Sequence, residues 1–230
     1  MGRINYKTIM AKYSRLGKQN VRLTQSTLFL TKPINPNVTT YSFDVLETQN
    51  ATLQADELRL NINDEFIITT LGMYLVATAR TGDGVAPVVT GQKLFTYTPG
   101  ELDNNSAIKL ENFYAGALQI SVNNIVYLDK WDTRKHEYVP RTQFANNVAL
   151  VGQATQPQGE FSKNAMFPVE PLITLSGAKK TNLILTLPTA ISGGAFAWID
   201  DKGATTTYTI DRVGLLVRGL NAQNGSVFQN

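Results

Sequence analysis

Cysteine is absent from the 230 residues. That excludes disulfides, thiolate metal sites and cysteine nucleophiles, so core packing or contacts between copies must supply the stability. Histidine occurs once, at His136, which leaves little material for acid–base or metal chemistry. Acidic residues are missing from the start: none precedes Asp44. Charge is sparse overall, at 17% of residues against 43% apolar. This suits a folded subunit with much of its surface buried against neighbours. No apolar stretch follows the N-terminus, so no signal peptide is expected. The longest apolar run, Phe66 to Ala79, is broken by Thr69, Thr70, Gly72 and Thr78 and is too short and polar for a spanning helix.

Seven basic residues precede the first acid: Arg3, Lys7, Lys12, Arg15, Lys18, Arg22 and Lys32. Of 21 basic and 18 acidic residues in all, this leaves 14 basic against 18 acidic in the body. A basic arm therefore leads a slightly acidic body. Within Ile4 to Leu16, the residues Tyr6, Ile9, Met10, Tyr13 and Leu16 recur at spacings of three and four, the pattern of one helical face. Lys7, Lys12, Arg15 and Lys18 fall largely on the other side, and Gly17 offers a stop. Two readings fit. The segment is either a solvated tail or a helix packed on its own body, or else a cationic element that meets phosphate on lipid or nucleic acid. The apolar face favours a membrane interface over naked nucleic acid.

From Gln25 onward the apolar period changes to two. Tyr41, Phe43 and Val45 alternate with polar residues, as do Leu58, Leu60 and Ile62, then Leu118, Ile120 and Val122, then Ile173 and Leu175, then Leu183, Leu185 and Leu187. Phe66 to Ala79 reads as one long buried strand or two joined at Gly72. Asn123-Asn124 predicts a two-residue hairpin loop, because Asn tolerates positive φ. Further breaks fall at Thr81 to Gly84, Ser176 to Lys180, Ser192 to Gly194 and Asp200 to Gly203. The stretches Lys32 to Pro36 and Gln153 to Gly159 read as loop. Generous counting gives about sixteen short strands, twice the number in one jelly roll. The weakest are 107–112, 147–150 and 160–162. The expected fold is all-β: an antiparallel jelly-roll sandwich with a short N-terminal amphipathic helix, two compact rolls side by side being favoured over one elaborated roll. The expected divisions are an arm over 1–24, a first roll over 25–140 and a second over 141–230, with the boundary near Pro140.

Candidate chemistry is thin. Asp132 and His136 stand four apart with Asp129 nearby, a spacing that invites a metal or acid–base site on a helix. The segment has strand and turn character, which would stretch the pair apart, and Arg134 and Lys135 oppose a cation, so a structural role is expected. The neighbours Asp64-Glu65 and Asp200-Asp201 read as a bend and a hairpin turn, since adjacent strand residues face opposite ways. No Gly-x-Ser-x-Gly elbow and no phosphate loop is present. Asp103, Asn104 and Asn105 do not match the spacing of a calcium loop. Phe113, Tyr114, Trp131, Phe196 and Trp198 are candidates for a sugar or base platform, or for core and subunit packing. No cofactor, metal or catalytic residue is expected.

The layout resembles a known family. The basic arm comes first, followed by a cysteine-free β body. That body carries Leu58 to Phe66 with its apolar continuation, Phe167 to Leu175, and Thr181 to Pro188. Together these resemble the jelly-roll coat proteins of icosahedral viruses, most closely the double jelly-roll major capsid proteins of tailless phages with an internal membrane. The resemblance is at the level of fold. It implies homotrimers whose two upright barrels per subunit make a pseudo-hexagonal capsomer. It also implies an arm facing the membrane lipid or packaged nucleic acid through Arg3, Lys7, Lys12, Arg15, Lys18 and Arg22, and assembly with other virion proteins and without a cofactor. The chain is short for that family, so its surface loops would be minimal. The expectation is a non-enzymatic, self-assembling major capsid subunit located in the virion. The alternatives are a β-sandwich head-decoration, fibre or carbohydrate-binding module, and an enzyme carried by Asp132, His136 and Glu137.

Overall fold

The computed structural model describes residues 6–18, 20–47, 57–81, 88–96, 110–138, 165–191, 196–199 and 206–226. One helix comes first, α1 (Tyr6–Arg15). Strands follow as β1 (Arg22–Pro33), β2 (Thr40–Phe43), β3 (Glu65–Thr81), β4 (Val88–Phe95), β5 (Ala117–Val122) and β6 (Ile125–Asp132). The remainder are β7 (Met166–Ser176), β8 (Thr181–Thr186), β9 (Phe196–Ile199) and β10 (Thr206–Gln223), with 3-10 turns at Asn112–Ala115 and Thr133–His136. The protein is an all-β sandwich of antiparallel sheets with one short N-terminal helix.

In the larger sheet the order is β1-β10-β3-β4, with β7 also on β3 and β9 also on β10. The smaller sheet runs β2-β8-β5-β6. Between β1 and β3 the chain crosses to the smaller sheet for β2. It crosses again for the β5–β6 hairpin, returns for β7, crosses for β8 and returns for β10. Alternation decides which residues face inward. Tyr41 and Phe43, Leu118 and Ile120, Leu183 and Leu185, and Ile173 and Leu175 all enter one core cluster between the sheets. Each such side chain contributes about 1.5–3 kcal/mol on burial.

Strand β3 explains the near-continuous apolar run. Phe66, Ile68, Leu71, Met73, Leu75 and Ala77 face the main core. On its other side Ile67 joins a cluster with Tyr13 and Leu220, while Tyr74 and Val76 join Phe29 and Leu216. Both faces are buried, so apolar residues occupy consecutive positions. The strand continues through Gly72, where a Cβ would lie 2.8 Å from the Tyr74 hydroxyl. At Gly219 a Cβ would meet the Ile67 carbonyl oxygen at 1.9 Å, so the backbone approach itself requires glycine.

Several expectations change. The split near Pro140 does not separate the described strands: β1 and β3 share a sheet with β7 and β10, and β2 and β5 share one with β8. One core cluster runs from Leu28 to Val217. Among the described residues β3 and β10 are the long strands, with 17 and 18 residues, and Phe66 to Ala79 is one strand continuous through Gly72. Residues 110–112 lead into a 3-10 turn, not a strand, while 147–150, 160–162 and Pro140 lie outside the described residues. The Asn123-Asn124 loop is as expected, with φ of 52° and 65°.

Candidate functional site

Helix α1 ends as its sequence predicts. Gly17 takes φ of 72°, the Lys18 amide donates to the Tyr13 carbonyl at 3.0 Å, and the Gly17 amide donates to Ser14 at 3.1 Å. This is a Schellman stop, which satisfies carbonyls left over at the helix end. The helix lies on the outer face of the larger sheet. Tyr13 is buried there with Val21, Ile67, Leu220 and Ala222, and Ile9 and Leu23 pack against them. The Tyr13 hydroxyl donates to Glu65 Oε2 at 2.9 Å. Burial, reinforced by the Glu65 charge, pushes that hydroxyl's pKa far above its ordinary value. Lys18 Nζ sits 3.6 Å from Glu65 Oε1 and donates to the Gly225 carbonyl. Gln25 Nε2 donates to the Tyr6 hydroxyl at 3.2 Å.

The arm's cations therefore divide. Lys18 is buried and faces Glu65, whereas Lys7, Lys12, Arg15 and Arg22 are exposed; Arg3 lies outside the described residues. Lys7, Ala11 and Arg15 follow one another at intervals of four, with Thr8 and Lys12 beside them, and these residues line a shallow concavity with Leu16. A second concavity on the same sheet is lined by Gln25, Ser26, Thr27, Thr69, Thr70, Arg218, Gly219 and Leu220. Among the described residues no carboxylate lines either one. Reading the arm alone misses Arg218. It stands opposite Thr27 on β1 and Thr70 on β3 through strand pairing. Its one local signal is a lone charge within the apolar run Gly214 to Leu220.

The Asp132–His136 pair makes no joint site. His136 is fully buried, and its Nε2 accepts from Trp131 Nε1 at 2.8 Å. Nδ1 lies 2.8 Å from the Ala165 carbonyl, which makes it the protonated nitrogen. Burial pushes the His136 pKa down to about 4. Both ring nitrogens are thus committed, Nδ1 holding the Thr133–His136 turn against the start of β7 and Nε2 holding it to Trp131 on β6. Asp132 instead caps that turn, accepting from the Arg134 backbone at 3.0 Å and from Arg134 Nε at 3.1 Å.

The other candidates also resolve. Asp64 accepts from Asn221 Nδ2 and the Asn224 amide, while Glu65 faces α1. Phe113 and Tyr114 are core residues, with the Tyr114 hydroxyl donating to the Phe95 carbonyl. Trp131 is half-buried under Lys135, whose Nζ stands 3.7 Å from the ring centre. The described aromatics do not gather into one exposed platform. Phe196 and Trp198 belong to β9. Asp103, Asn104, Asn105, Asp200 and Asp201 lie outside the described residues. Sequence reasoning also misses a buried pair: Arg59 Nη2 donates to Glu57 Oε2 at 2.9 Å, and Glu57 accepts from the Thr31 amide and hydroxyl. Burial raises the Glu57 pKa, but those bonds and the Arg59 charge outweigh it and hold the carboxyl below its usual range.

Among the described residues no three His, Asp or Glu side chains group to hold a metal, and no helix is long and apolar enough to cross a membrane. Comparison with protein-family models, with curated proteins and with solved structures gives no match to this chain.

Proposed function

We propose that the chain is a structural virion protein, a coat subunit built on a single jelly roll that assembles with copies of itself into a shell. The observation that carries this reading is the strand order. Leaving aside β4 and β9, which extend the ends of longer strands, two four-stranded layers remain: β1-β10-β3-β7 and β2-β8-β5-β6. Eight strands crossing between two layers in this sequence support reading the sandwich as the double Greek key of a jelly roll. Strands from both halves of the chain alternate in each layer, which favours one roll over two. With one roll per subunit, a trimer carries three barrels and not six, so the pseudo-hexagonal trimer gives way to a shell of single-roll subunits.

Two further features support assembly. Strand β6 ends the smaller sheet with Ile125, Val126 and Tyr127 exposed at 57%, 49% and 48%, an apolar run of the kind that subunit contacts cover. The exposed face of α1 carries only positive charge, and faces the shell's anionic interior, membrane or genome. The test is electron microscopy and sedimentation of the purified chain. Regular capsomers or closed shells are expected; a monomer at every concentration and ionic strength overturns the reading.

A further inference from the structure

We infer that a polar concavity beside β1 binds a neutral saccharide through the sugar's hydroxyl groups. It lies where residues 57–60 link the two layers. Phe29 and Leu58 exchange backbone hydrogen bonds at 2.9 Å, which ties this segment to β1 in the larger sheet. The Leu60 amide donates to Val45 at 2.7 Å and its carbonyl accepts from Glu47 at 3.0 Å, which ties it to the chain that follows β2 of the smaller sheet. The concavity measures about 540 Å³, and Glu47, Arg59, Asn61, Asp64 and Asn221 are among the residues that line it. That volume falls within the usual range for small-molecule sites. Backbone bonds hold the wall on both sides, so its polar groups are placed before a ligand arrives.

Two lining residues are incompletely bonded, and in opposite senses. The Arg59 side chain is 7% exposed. Its Nη2 donates to Glu57, but Nε and Nη1 have no partner among the described residues. Asn221 spends its amide nitrogen on Asp64, and its buried Oδ1 has no partner there either. Buried donors and acceptors are nearly always satisfied. The wall therefore calls for a ligand that accepts from Arg59 and donates to Asn221, and a hydroxyl group does both. Charge then separates the ligand classes. Glu47, Glu57 and Asp64 stand against Arg59 alone, so the concavity is net negative and repels an anion. A cation could serve the Asn221 oxygen but gives Arg59 no acceptor. A neutral polyol serves both and imports no charge. Among the described residues no aromatic ring lines the concavity. The sugar therefore has no stacking platform, and its affinity is in the millimolar range.

The site stands apart from the coat-subunit reading, and dispersed subunits test it whether or not they assemble. The experiment titrates nitrogen-15-labelled protein with glucose, galactose, mannose and N-acetylglucosamine, each up to a tenth molar, beside spermidine and sodium acetate. The Arg59 Nε–H and Asn221 side-chain amide signals are followed by NMR. At least one sugar should shift both signals saturably. Asn221→Ala should weaken that binding by roughly tenfold, the worth of one hydrogen bond. Glu47→Gln keeps an acceptor and removes a charge, so sugar affinity should stay within about twofold, where a bound cation would be lost. Circular dichroism confirms that both variants are folded. Arg59 is left in place because its removal strands the buried Glu57 carboxylate; its own signal reports instead, and does so even if Asn221→Ala fails to fold. The inference is overturned if no sugar shifts the Arg59 signal, if spermidine or acetate shifts it as strongly as any sugar, or if folded Asn221→Ala binds as the parent does.

Discussion

Tyr13 and Glu65 stand 52 positions apart and meet in a 2.9 Å hydrogen bond that anchors the N-terminal helix to the body. The bond is charge-assisted and half shielded from water, and Lys18 closes it from the far side. A hydrogen bond to a charged group contributes about 1.5–3 kcal/mol. Helix α1 has only ten residues, too few to persist alone in water. The bond and the small cluster around Ile67 therefore decide whether the cationic face is displayed on a fixed helix or on a loose tail.

The first prediction follows from that anchor. Tyr13→Phe keeps the ring and removes the donor. Amide hydrogen exchange in α1 should accelerate by roughly tenfold or more, and trypsin should cut at Lys7, Lys12 and Arg15, while the sheets keep their protection. Unchanged exchange in α1 would show that the apolar contacts alone hold the helix.

Acid sensitivity centres on His136. Its pKa falls from 6.5 to about 4 in the folded protein. Between those values the unfolded chain binds a proton that the native state refuses. Stability from this residue is thus fully present above pH 6.5 and is lost as pH falls towards 4, by up to ~3 kcal/mol. Urea midpoints at pH 7 and 4.5 measure it. In His136→Gln, which keeps a donor and an acceptor, the drop should shrink although the variant is less stable at pH 7. An equal drop in both proteins would assign the acid sensitivity to other groups.

Glycine at 219 gives a third test. A methyl there would overlap the Ile67 carbonyl oxygen, and the β3–β10 pairing it disrupts is the longest among the described residues. Gly219→Ala should cost about 3 kcal/mol or more. Gly17→Ala is the internal comparison. Its Cβ meets no atom within 4 Å, but its φ is 72°, so the cost is conformational, about 1–2 kcal/mol. Denaturant unfolding of the two variants should preserve that order, and the reverse order would mean that β10 shifts to accommodate the methyl.

What could be read from the residues divides along the range of the interactions. Local periodicity identifies α1, its Gly17 stop, the Asn123-Asn124 hairpin and the inward faces of β2, β5, β7 and β8, because each depends on neighbours a few positions away. Pairing partners have no such signature. Leu220 opposes Ile67 and Gln25 through ladders that span most of the chain, so the interleaving of early and late strands in each sheet is invisible to a window of ten residues. The same limit applies to the cations. Lys18 looks equivalent to Lys12 in sequence, yet Glu65 and the Gly225 carbonyl turn it inward. Arg218 sits in an apolar strand and joins the exposed cations through tertiary pairing.

The last prediction separates folding from assembly. Val126 is exposed on β6 between Ile125 and Tyr127, β6 is an edge strand among the described residues, and an apolar edge of that kind invites another chain. Val126→Lys places a charge there, a device that blocks edge pairing and apolar contact alike. Because the side chain is largely in solvent, monomer stability should change by no more than about 0.5 kcal/mol. If copies of the chain meet across this strand, sedimentation should show the assembled species lost while circular dichroism and the unfolding midpoint stay in place. Lys substitution at Leu172, an exposed residue on β7 in the other sheet, is the comparison. Loss of assembly at both positions would point to a broad interface, and loss at Leu172 alone would move the contact away from β6. Neither variant affecting assembly would remove the apolar edge from the case for a coat subunit and leave that case on strand order alone.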